Sequence, residues 1–453
     1  MNIIIVGCGK VGLTLAEQLC QENHAITLID TDQERLDDAV NSMDVQAVLG
    51  NGTSYQTQVE AGVRDADLLI AVTDQDELNM LSCLIARKVG NCQTIARVRN
   101  PGYYADIHYI KDDLGLAMVI NPEWAAAQDI FRLLQIPSAL DVDTFDKGKV
   151  NMIRFQIAPG SPLDGKNMMA INNMLGGKML VCIRERAGEV VIPSGNTDLK
   201  AGDKISVVIP MAEIGSVLQR LRLRKRAIHS VLIAGGGNTA VYLTLMLQKA
   251  GLQVKIIENN LARCEELAER VPKAHIIHGD STDKQLLQEE GLRDAEAFVC
   301  LTGLDEENIM LALYAEKISK AKVITKIGRI SFEEVVDELP LGSVIYPKNI
   351  TAEVIVRYVR ALENASGNNV ETLYRMLDGR VEAMEFVVRP GSTNIIGVPL
   401  QQLGLKKNLL VCSINRQGKI ITPTGQDTIQ EGDIVVVVTT HKGIRDLGDI
   451  VRY

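Results

Sequence analysis

The chain has 453 residues, of which 46% are apolar and only 4% aromatic. That length suits about three or four domains, with cores built from Val, Ile, Leu and Ala. A formal net charge of −9 argues against nucleic acid as the main partner. The eight cysteines stand at 8, 20, 83, 92, 182, 264, 300 and 412 without a CxxC pair. Neither a zinc site nor a thiol-redox motif is indicated, and a reducing compartment fits. No apolar run reaches the ~20 residues of a membrane-spanning helix. The first residues read as a strand entering glycines, not as a leader peptide.

From the N-terminus, β-branched runs at 2–6, 25–29, 68–72, 94–98 and 118–120 alternate with helical stretches. Such alternation predicts a parallel sheet covered by helices. The first run leads into Gly7-Cys8-Gly9-Lys10-Val11-Gly12, a dinucleotide-binding fingerprint in the right context, between a strand and a helix. Gly7 permits the tight turn, Gly9 lets a pyrophosphate approach the backbone, and Gly12 allows close helix–strand packing. Free N–H groups at the helix start then face the anion.

Asp30 lies 18 residues beyond Gly12, at the end of the second run. A carboxylate there accepts hydrogen bonds from a ribose 2′-OH and repels a 2′-phosphate, which favours NAD or another adenosine ligand over NADP. Gly50-Asn51-Gly52-Thr53 occupies the turn where an adenine edge would rest, although turn chemistry alone also accounts for its glycines. Thr73 follows the third run. Asp74-Gln75-Asp76-Glu77 then opens a helix. Its acids either satisfy free N–H groups and the helix dipole or contact a cation or ribose. Arg97-Val98-Arg99 sets both guanidiniums on one strand face. They are either plain surface charges or two fixed charges for terminal phosphates. The stretch 122–135 reads as a helix, and its Trp124 as a packing residue.

Residues 151–210 change character. Short strands broken by Pro159-Gly160-Ser161, Gly-Gly and Gly-Asp turns predict a small β-rich module. The run 220–226 carries five basic residues in seven. It reads as a solvated linker, or as a contact for an acidic partner or anionic membrane surface.

The plan then repeats. A second fingerprint, Gly235-Gly236-Gly237-Asn238-Thr239-Ala240, follows residues 231–234, and its acid is Glu258. Gly7 and Gly235 are 228 apart, as are Asp30 and Glu258. Gly50 pairs with Gly279, Thr73 with Thr302 and Asn79 with Asn308, each 229 apart. Pro159-Gly160-Ser161 matches Pro390-Gly391-Ser392, Leu180-Val181-Cys182 matches Leu410-Val411-Cys412, and Gly202-Asp203 matches Gly432-Asp433. A register held over the whole chain marks a tandem duplication. Gly279-Asp280-Ser281-Thr282 takes the place of the first adenine-edge turn. The two repeats differ where Lys326-Ile327-Gly328 replaces Arg97-Val98-Arg99, so terminal-phosphate contact should be weaker in the second. His275-x-x-His278 lacks the helical context and further ligands of a metal site, and no Gly-x-Ser-x-Gly or Walker pattern occurs.

The predicted fold is α/β: two Rossmann-like doubly wound domains, each followed by a small β-rich α+β module. The expected domains are 1–135, 136–225, 226–362 and 363–453. The candidate ligand-contact residues are the first fingerprint with Asp30, Asn51, Gly52, Thr53, Thr73, Arg97 and Arg99. In the second repeat they are Gly235, Gly237, Asn238, Thr239, Glu258, Asp280, Ser281, Thr302 and Lys326.

These features together resemble the RCK (KTN) family, which regulates the conductance of potassium channels and transporters. The resemblance spans essentially the whole chain. It rests on residues 7–12, Asp30, residues 50–53, Asn121-Pro122 with its following helix, and the Pro159-Gly160-Ser161 module. It implies NAD(H) and ATP/ADP as ligands, a ring-like homo-oligomer that is a tetramer if each chain supplies two domains of eight, and docking to an integral membrane potassium-translocating subunit on its cytoplasmic face. It implies a regulator, not an enzyme. Read without the resemblance, the residues also admit an NAD-dependent dehydrogenase, although the β-rich modules offer no evident catalytic constellation. Regulation of another ion's transporter is the further alternative.

Overall fold

The computed structural model describes residues 1–223, 227–328, 333–364, 370–377, 379–389, 395–444 and 446–452. Pro390-Gly391-Ser392 and the last three residues of the basic run 220–226 lie outside them. The chain divides into two compact units. One gathers Met1–Leu134 with Ile228–Val356; the other gathers Gln135–Ala227 with Arg357–Tyr453. Each repeat thus contributes to both units.

The first unit holds two six-stranded parallel sheets of identical topology. The first comprises β1 (Asn2–Val6), β2 (Ala25–Asp30), β3 (Gln46–Leu49), β4 (Leu68–Ala71), β5 (Gln93–Arg97) and β6 (Met118–Ile120), in the order β3-β2-β1-β4-β5-β6. Ile3, Ile4 and Ile5 of β1 are all buried, as a strand covered on both faces requires. β1 pairs in parallel with β2 on one side and β4 on the other, setting Ile5 beside Leu28 and Ile70. The winding reverses between β1 and β4, which opens a crevice at their carboxyl ends. Five of these strands and the helix Pro122–Gln135 follow the sequence reading. The edge strand β3 was not predicted, because only Val48 in it is buried and it carries no apolar run.

The small module of the first repeat forms a five-stranded antiparallel sheet. Its strands are β7 (Asp141–Phe145), β8 (Val150–Gln156), β9 (Leu180–Arg186), β10 (Glu189–Val191) and β11 (Lys204–Pro210), ordered β10-β9-β11-β8-β7.

The second repeat reproduces both sheets. Its parallel sheet comprises β12 (Ser230–Ala234), β13 (Gln253–Glu258), β14 (His275–His278), β15 (Ala297–Cys300), β16 (Lys322–Lys326) and β17 (Ser343–Ile345). Their order, β14-β13-β12-β15-β16-β17, matches the first sheet strand for strand. His275 and His278 are the exposed ends of the edge strand β14. The antiparallel sheet comprises β18 (Val370–Met376), β19 (Val381–Val387), β20 (Leu409–Arg416), β21 (Lys419–Ile421) and β22 (Ile434–Thr439), ordered β18-β19-β22-β20-β21. In the second unit the two small modules share one apolar cluster, to which β8, β9 and β11 give Met152, Cys182 and Val208, and β19, β20 and β22 give Ala383, Cys412 and Val436. All eight cysteines are free thiols, and all but Cys20 are buried, as small hydrophobes.

Each small module is pinned by the same ion pair. The Arg186 fork reaches Asp203 through Nε at 2.6 Å and a terminal nitrogen at 2.8 Å, while Lys200 N donates to the same carboxylate at 2.8 Å. Arg416 and Gln430 N hold Asp433 likewise, at 2.9, 2.8 and 2.8 Å. Bidentate geometry and an added N–H make these stronger than ordinary surface pairs. Burial works against ionisation of Asp203, but the Arg186 fork and the Lys200 N–H outweigh it and hold the carboxyl below the usual range. A carboxyl depressed in the folded state contributes stability above its unfolded pKa of about 3.9, and that contribution disappears as pH falls through the folded value. Asp203→Asn should therefore lower stability near neutral pH and flatten the acid limb of the stability profile below about pH 4, read by urea melts across that range. An unchanged acid limb would show that the pair does not carry the effect.

Candidate functional site

The two Gly-rich turns stand at the carboxyl ends of β1 and β12. Gly7 takes φ +107° and Gly235 φ +97°, a region that side chains rarely enter. A Cβ on Gly12 would fall 1.9 Å from the Gly7 carbonyl oxygen, so the helix Lys10–Cys20 lies against its strand as only glycine allows. The second turn accommodates the fully buried Ala240 at this place. By contrast, a Cβ on Gly9 or Gly237 meets nothing within 4 Å. These two residues face open space at the N-termini of the helices Lys10–Cys20 and Asn238–Lys249. Neither helix has a side-chain cap, and the positive dipole end of each points to this open space, an arrangement that suits an anion.

The acids sit where the spacing places them, and they already have work. Asp30 accepts from Cys8 N at 2.5 Å and from Asp32 N at 3.0 Å. Glu258 accepts from Gly236 N at 2.8 Å and Asn260 N at 2.8 Å. Each carboxylate fixes the middle of its Gly-x-Gly turn, and each oxygen retains a further lone pair for a ribose hydroxyl. Beside Asp30, burial and the Asp30 charge push the Cys8 thiol up to about 12, so it stays neutral.

The turns at residues 50–53 and 279–282 are the same in both repeats despite their different residues. Asn51 Oδ1 accepts from Thr53 N and Oγ1, both at 2.9 Å. Asp280 Oδ1 accepts from Thr282 N and Oγ1, both at 2.8 Å. Gly52 packs tightly: a Cβ there would meet Val6 Cγ1 at 2.2 Å. Ser281 is buried beneath the second turn.

At the ends of β4 and β15 the structure uses the threonines as turn residues. Thr73 N donates to Asn79 Oδ1 at 2.8 Å, and Asn79 Nδ2 reaches Arg97 O at 3.0 Å. Thr302 N donates to Asn308 Oδ1 at 2.9 Å, and Asn308 Nδ2 reaches Lys326 O at 3.0 Å. Each buried asparagine staples two strand ends together. Thr73 Oγ1 lies 2.7 Å from Asn79 Oδ1, and Thr302 Oγ1 donates to Leu304 O at 3.0 Å.

The acids stand in the first turn of their helix, as read, but the arginine reading needs correction. Asp76 has a second role: it accepts from Arg99 N at 2.9 Å and Asn100 N at 2.8 Å. Asp305 likewise accepts from Gly328 N at 2.9 Å. The loop after the fifth strand presents its N–H groups to these carboxylates, a tertiary contact that local sequence does not show. Arg97 ends β5, and Arg99 lies beyond it in the loop, so the two do not share a strand face. They still converge. Arg97 donates to Thr73 O and Arg99 to Asp74 O. Lys326 Nζ reaches Leu301 O at 3.5 Å in the second repeat.

Around the arginines four polar atoms lack a hydrogen bond: Arg97 Nε, Arg99 Nε, Asp76 Oδ1 and Glu123 Oε2; two of them, Arg99 Nε and Asp76 Oδ1, face each other as an ion pair at 4.0 Å. Burial and the Arg99 charge hold the Arg97 guanidinium below its ordinary value. Burial pushes the Glu123 carboxyl up, against the pull of its helix N–H and of both arginines. Such atoms, two donors and two carboxylate acceptors, are costly when left unsatisfied away from water. Sequence reading missed Glu123, Asn79 and Asn308 as site-forming residues, although the exact register of the two asparagines was a visible signal. It also missed Arg263, which grips Gly236 O at 2.7 Å and Asn238 Oδ1 at 3.1 Å over the second turn.

Fold and turns define a tandem RCK-type protein: a parallel nucleotide-binding-type sheet and a small antiparallel module, twice in one chain. The TrkA-N domain model matches residues 3–122 and 231–347, and the TrkA-C domain model matches 152–222 and 383–452. The Trk system potassium uptake protein TrkA of Halomonas elongata is 32% identical, covering 99% of this chain and 98% of its own length. The TrkA homolog of Archaeoglobus fulgidus is also 32% identical, covering 100% of both. Among solved structures, the GsuK RCK domain aligns with TM-score 0.62 at 16% identity, covering 97% of this chain and 92% of that one. The GsuK channel bound to NAD aligns with TM-score 0.61 at 17% identity, covering 97% of this chain and 77% of that one. The chain belongs to the TrkA family of potassium-uptake proteins. No helix among the described residues is long and apolar enough to cross a membrane, and no group of three or more metal-ligating side chains occurs among them.

The open and closed glycines behave differently under substitution. Gly12→Ala forces the helix off its strand, at a cost of about 1–3 kcal/mol for overpacking, and should lower the melting temperature. Gly9→Ala should leave it unchanged, because the new methyl meets only solvent. Thermal melts of the two variants side by side test this, and equal losses would contradict the geometry.

Proposed function

We propose that this chain is the nucleotide-sensing regulatory subunit of a potassium-uptake transporter, with NAD(H) and ATP/ADP as its ligands. The observation that carries the proposal is the pair of Gly-rich turns. In both, the backbone over Gly9 or Gly237 is open, the helix N-terminus is uncapped, and an acid holds the turn from the ribose side. Membership of the TrkA family supports potassium transport as the process. The pyrophosphate would lie over Gly9 or Gly237, with the N–H groups of Lys10 and Val11, or of Asn238 and Thr239, directed at it. Asp30 and Glu258 would take the ribose hydroxyls. At the first site Arg97 and Arg99 would meet terminal phosphates with guanidinium N–H donors that their backbone contacts do not use.

The chain acts as a regulator in this reading, not as an enzyme. It works as a homo-oligomer, with the tetramer as the expected state, docked on the cytoplasmic face of an integral membrane potassium-translocating subunit. The four expected domains give it repeated ligand-linked joints. A ligand shifts a two-state equilibrium only through its differential affinity for the two states. Roughly 10-fold preference per site compounds steeply when several sites act together.

The arginine contribution is measurable. Arg99→Gly copies the second repeat, and glycine retains the N–H that Asp76 accepts, as Gly328 does for Asp305. Losing one charge-assisted contact costs about 1.5–3 kcal/mol, so ATP should bind the first site roughly 10- to 150-fold more weakly, while ADP should suffer less. Calorimetric titration of the variant decides this, and unchanged ATP affinity removes the arginines from the site. Asp30 should at the same time make NADPH bind more weakly than NADH at this turn.

The function itself is tested by potassium flux through the reconstituted pair of this chain and its membrane subunit. Flux should respond to ATP, ADP and NADH. Indifference to all three, or a membrane subunit that does not retain the chain, would defeat the proposal.

A further inference from the structure

The helix Asn238–Lys249 has two jobs one turn apart. Its N-terminus forms the second Gly-rich turn. Four residues on, about 6 Å along the axis, Tyr242 reaches into the first nucleotide-binding-type domain. Its hydroxyl accepts from Asn121 Nδ2 at 2.8 Å and donates to Arg99 O at 3.2 Å. Its ring stands edge-on to Tyr104 at 6.1 Å between centroids, and Tyr104 lies 5.8 Å from Trp124. Asn121 also caps the next helix, accepting from Trp124 N at 2.8 Å. Only 7% of Tyr242 is exposed. Burial pushes its hydroxyl well above the ordinary phenol range, so it remains a donor. One side chain of the second repeat therefore joins the loops after β5 and β6 of the first, at the residue whose guanidinium belongs to the first site.

The first repeat has no tyrosine at this position. At the offset of 228, Tyr242 corresponds to Thr14, whose side chain is far too short to span the same gap.

We propose that Tyr242 is a positioning residue that couples the two nucleotide sites: a pyrophosphate seated on the N-terminus of its helix changes the placement of Arg99, and so the affinity of the first site for ATP. This rests on the reading of both turns as nucleotide sites. A helix is stiff over one turn, so a displacement at its N-terminus is carried to Tyr242. The hydroxyl then moves the Arg99 carbonyl and the Asn121 amide together, since it holds both. The coupling is reciprocal by linkage: ATP at the first site alters the affinity of the second by the same factor.

The test is a double-mutant cycle in the full chain. Gly237→Val places a side chain in the open approach to the second turn and blocks it. Tyr242→Phe removes only the hydroxyl and retains the ring against Tyr104. First-site ATP affinity is measured by calorimetry in the native chain, G237V, Y242F and the double variant. Blocking the second site should shift first-site affinity by roughly 5-fold or more when Tyr242 is present, and should leave it unchanged in the Y242F background. Asn121→Asp, which retains the cap oxygen but removes the amide donor, should abolish the shift too. A shift of equal size with and without the hydroxyl, or no shift in the native background, overturns the coupling and leaves the nucleotide reading standing. A native chain that binds no ATP overturns that reading, and the coupling with it.

Discussion

The close approach of a helix to its strand at residues 7–12 constrains everything built above it. The Gly12 Cα stands so near the Gly7 carbonyl that a single methyl would collide at 1.9 Å. This proximity sets the N-terminus of the helix directly over the carboxyl end of β1. Its uncapped N–H groups then lie in the crevice where the winding of the sheet reverses. The Asp30 carboxylate completes the arrangement by holding Cys8 N, so the turn is fixed by the protein's own groups. Preorganised donors cost no reorganisation on binding.

Duplication preserved this frame and released its margins. Both repeats keep the acid on the middle residue of the turn, the asparagine staple, the Asx turn and the aspartate that collects N–H groups from the loop after the fifth strand. Where the repeats part, the frame does not depend on the residue. Arg99 and Gly328 both supply the same backbone N–H, so one can carry a charge and the other need not. Arg263 clamps the Gly236 carbonyl, while Arg35 at the same register pairs with Asp32 at 3.1 Å with its side chain 57% exposed. The second turn is thus held at both its N–H and its C=O, and the first by Asp30 at its N–H.

Much of this was legible in the sequence because it is local. Glycines that need positive φ or missing Cβ atoms reveal themselves by residue type and spacing. Parallel strands reveal themselves as short apolar or β-branched runs, which is why β1, β2, β4, β5 and β6 were readable and β3, with only Val48 buried, was not. Tertiary hydrogen bonds leave no such trace. Asp76 looks like a helix-start acid in the sequence, yet its partners are Arg99 N and Asn100 N, more than twenty residues away. Arg97 and Arg99 alternate like strand neighbours, but the strand ends at Arg97 and the loop decides where Arg99 goes.

By itself, the sequence determined the repeat, the two kinds of sheet and the position of each Gly-rich turn with its acid. Those features follow from backbone sterics and from the periodicity of burial, which act within a few residues of one another. Only the tertiary structure decided that corresponding parts of the two repeats pair off into two compact units. It alone brought Tyr242 to the Arg99 carbonyl and gathered the half-buried Arg97, Arg99 and Glu123 around the buried Asp76. Those outcomes depend on which surfaces meet after the chain has folded back on itself. An interface between repeats is set by shape and by partners more than a hundred residues apart, and no local spacing encodes it.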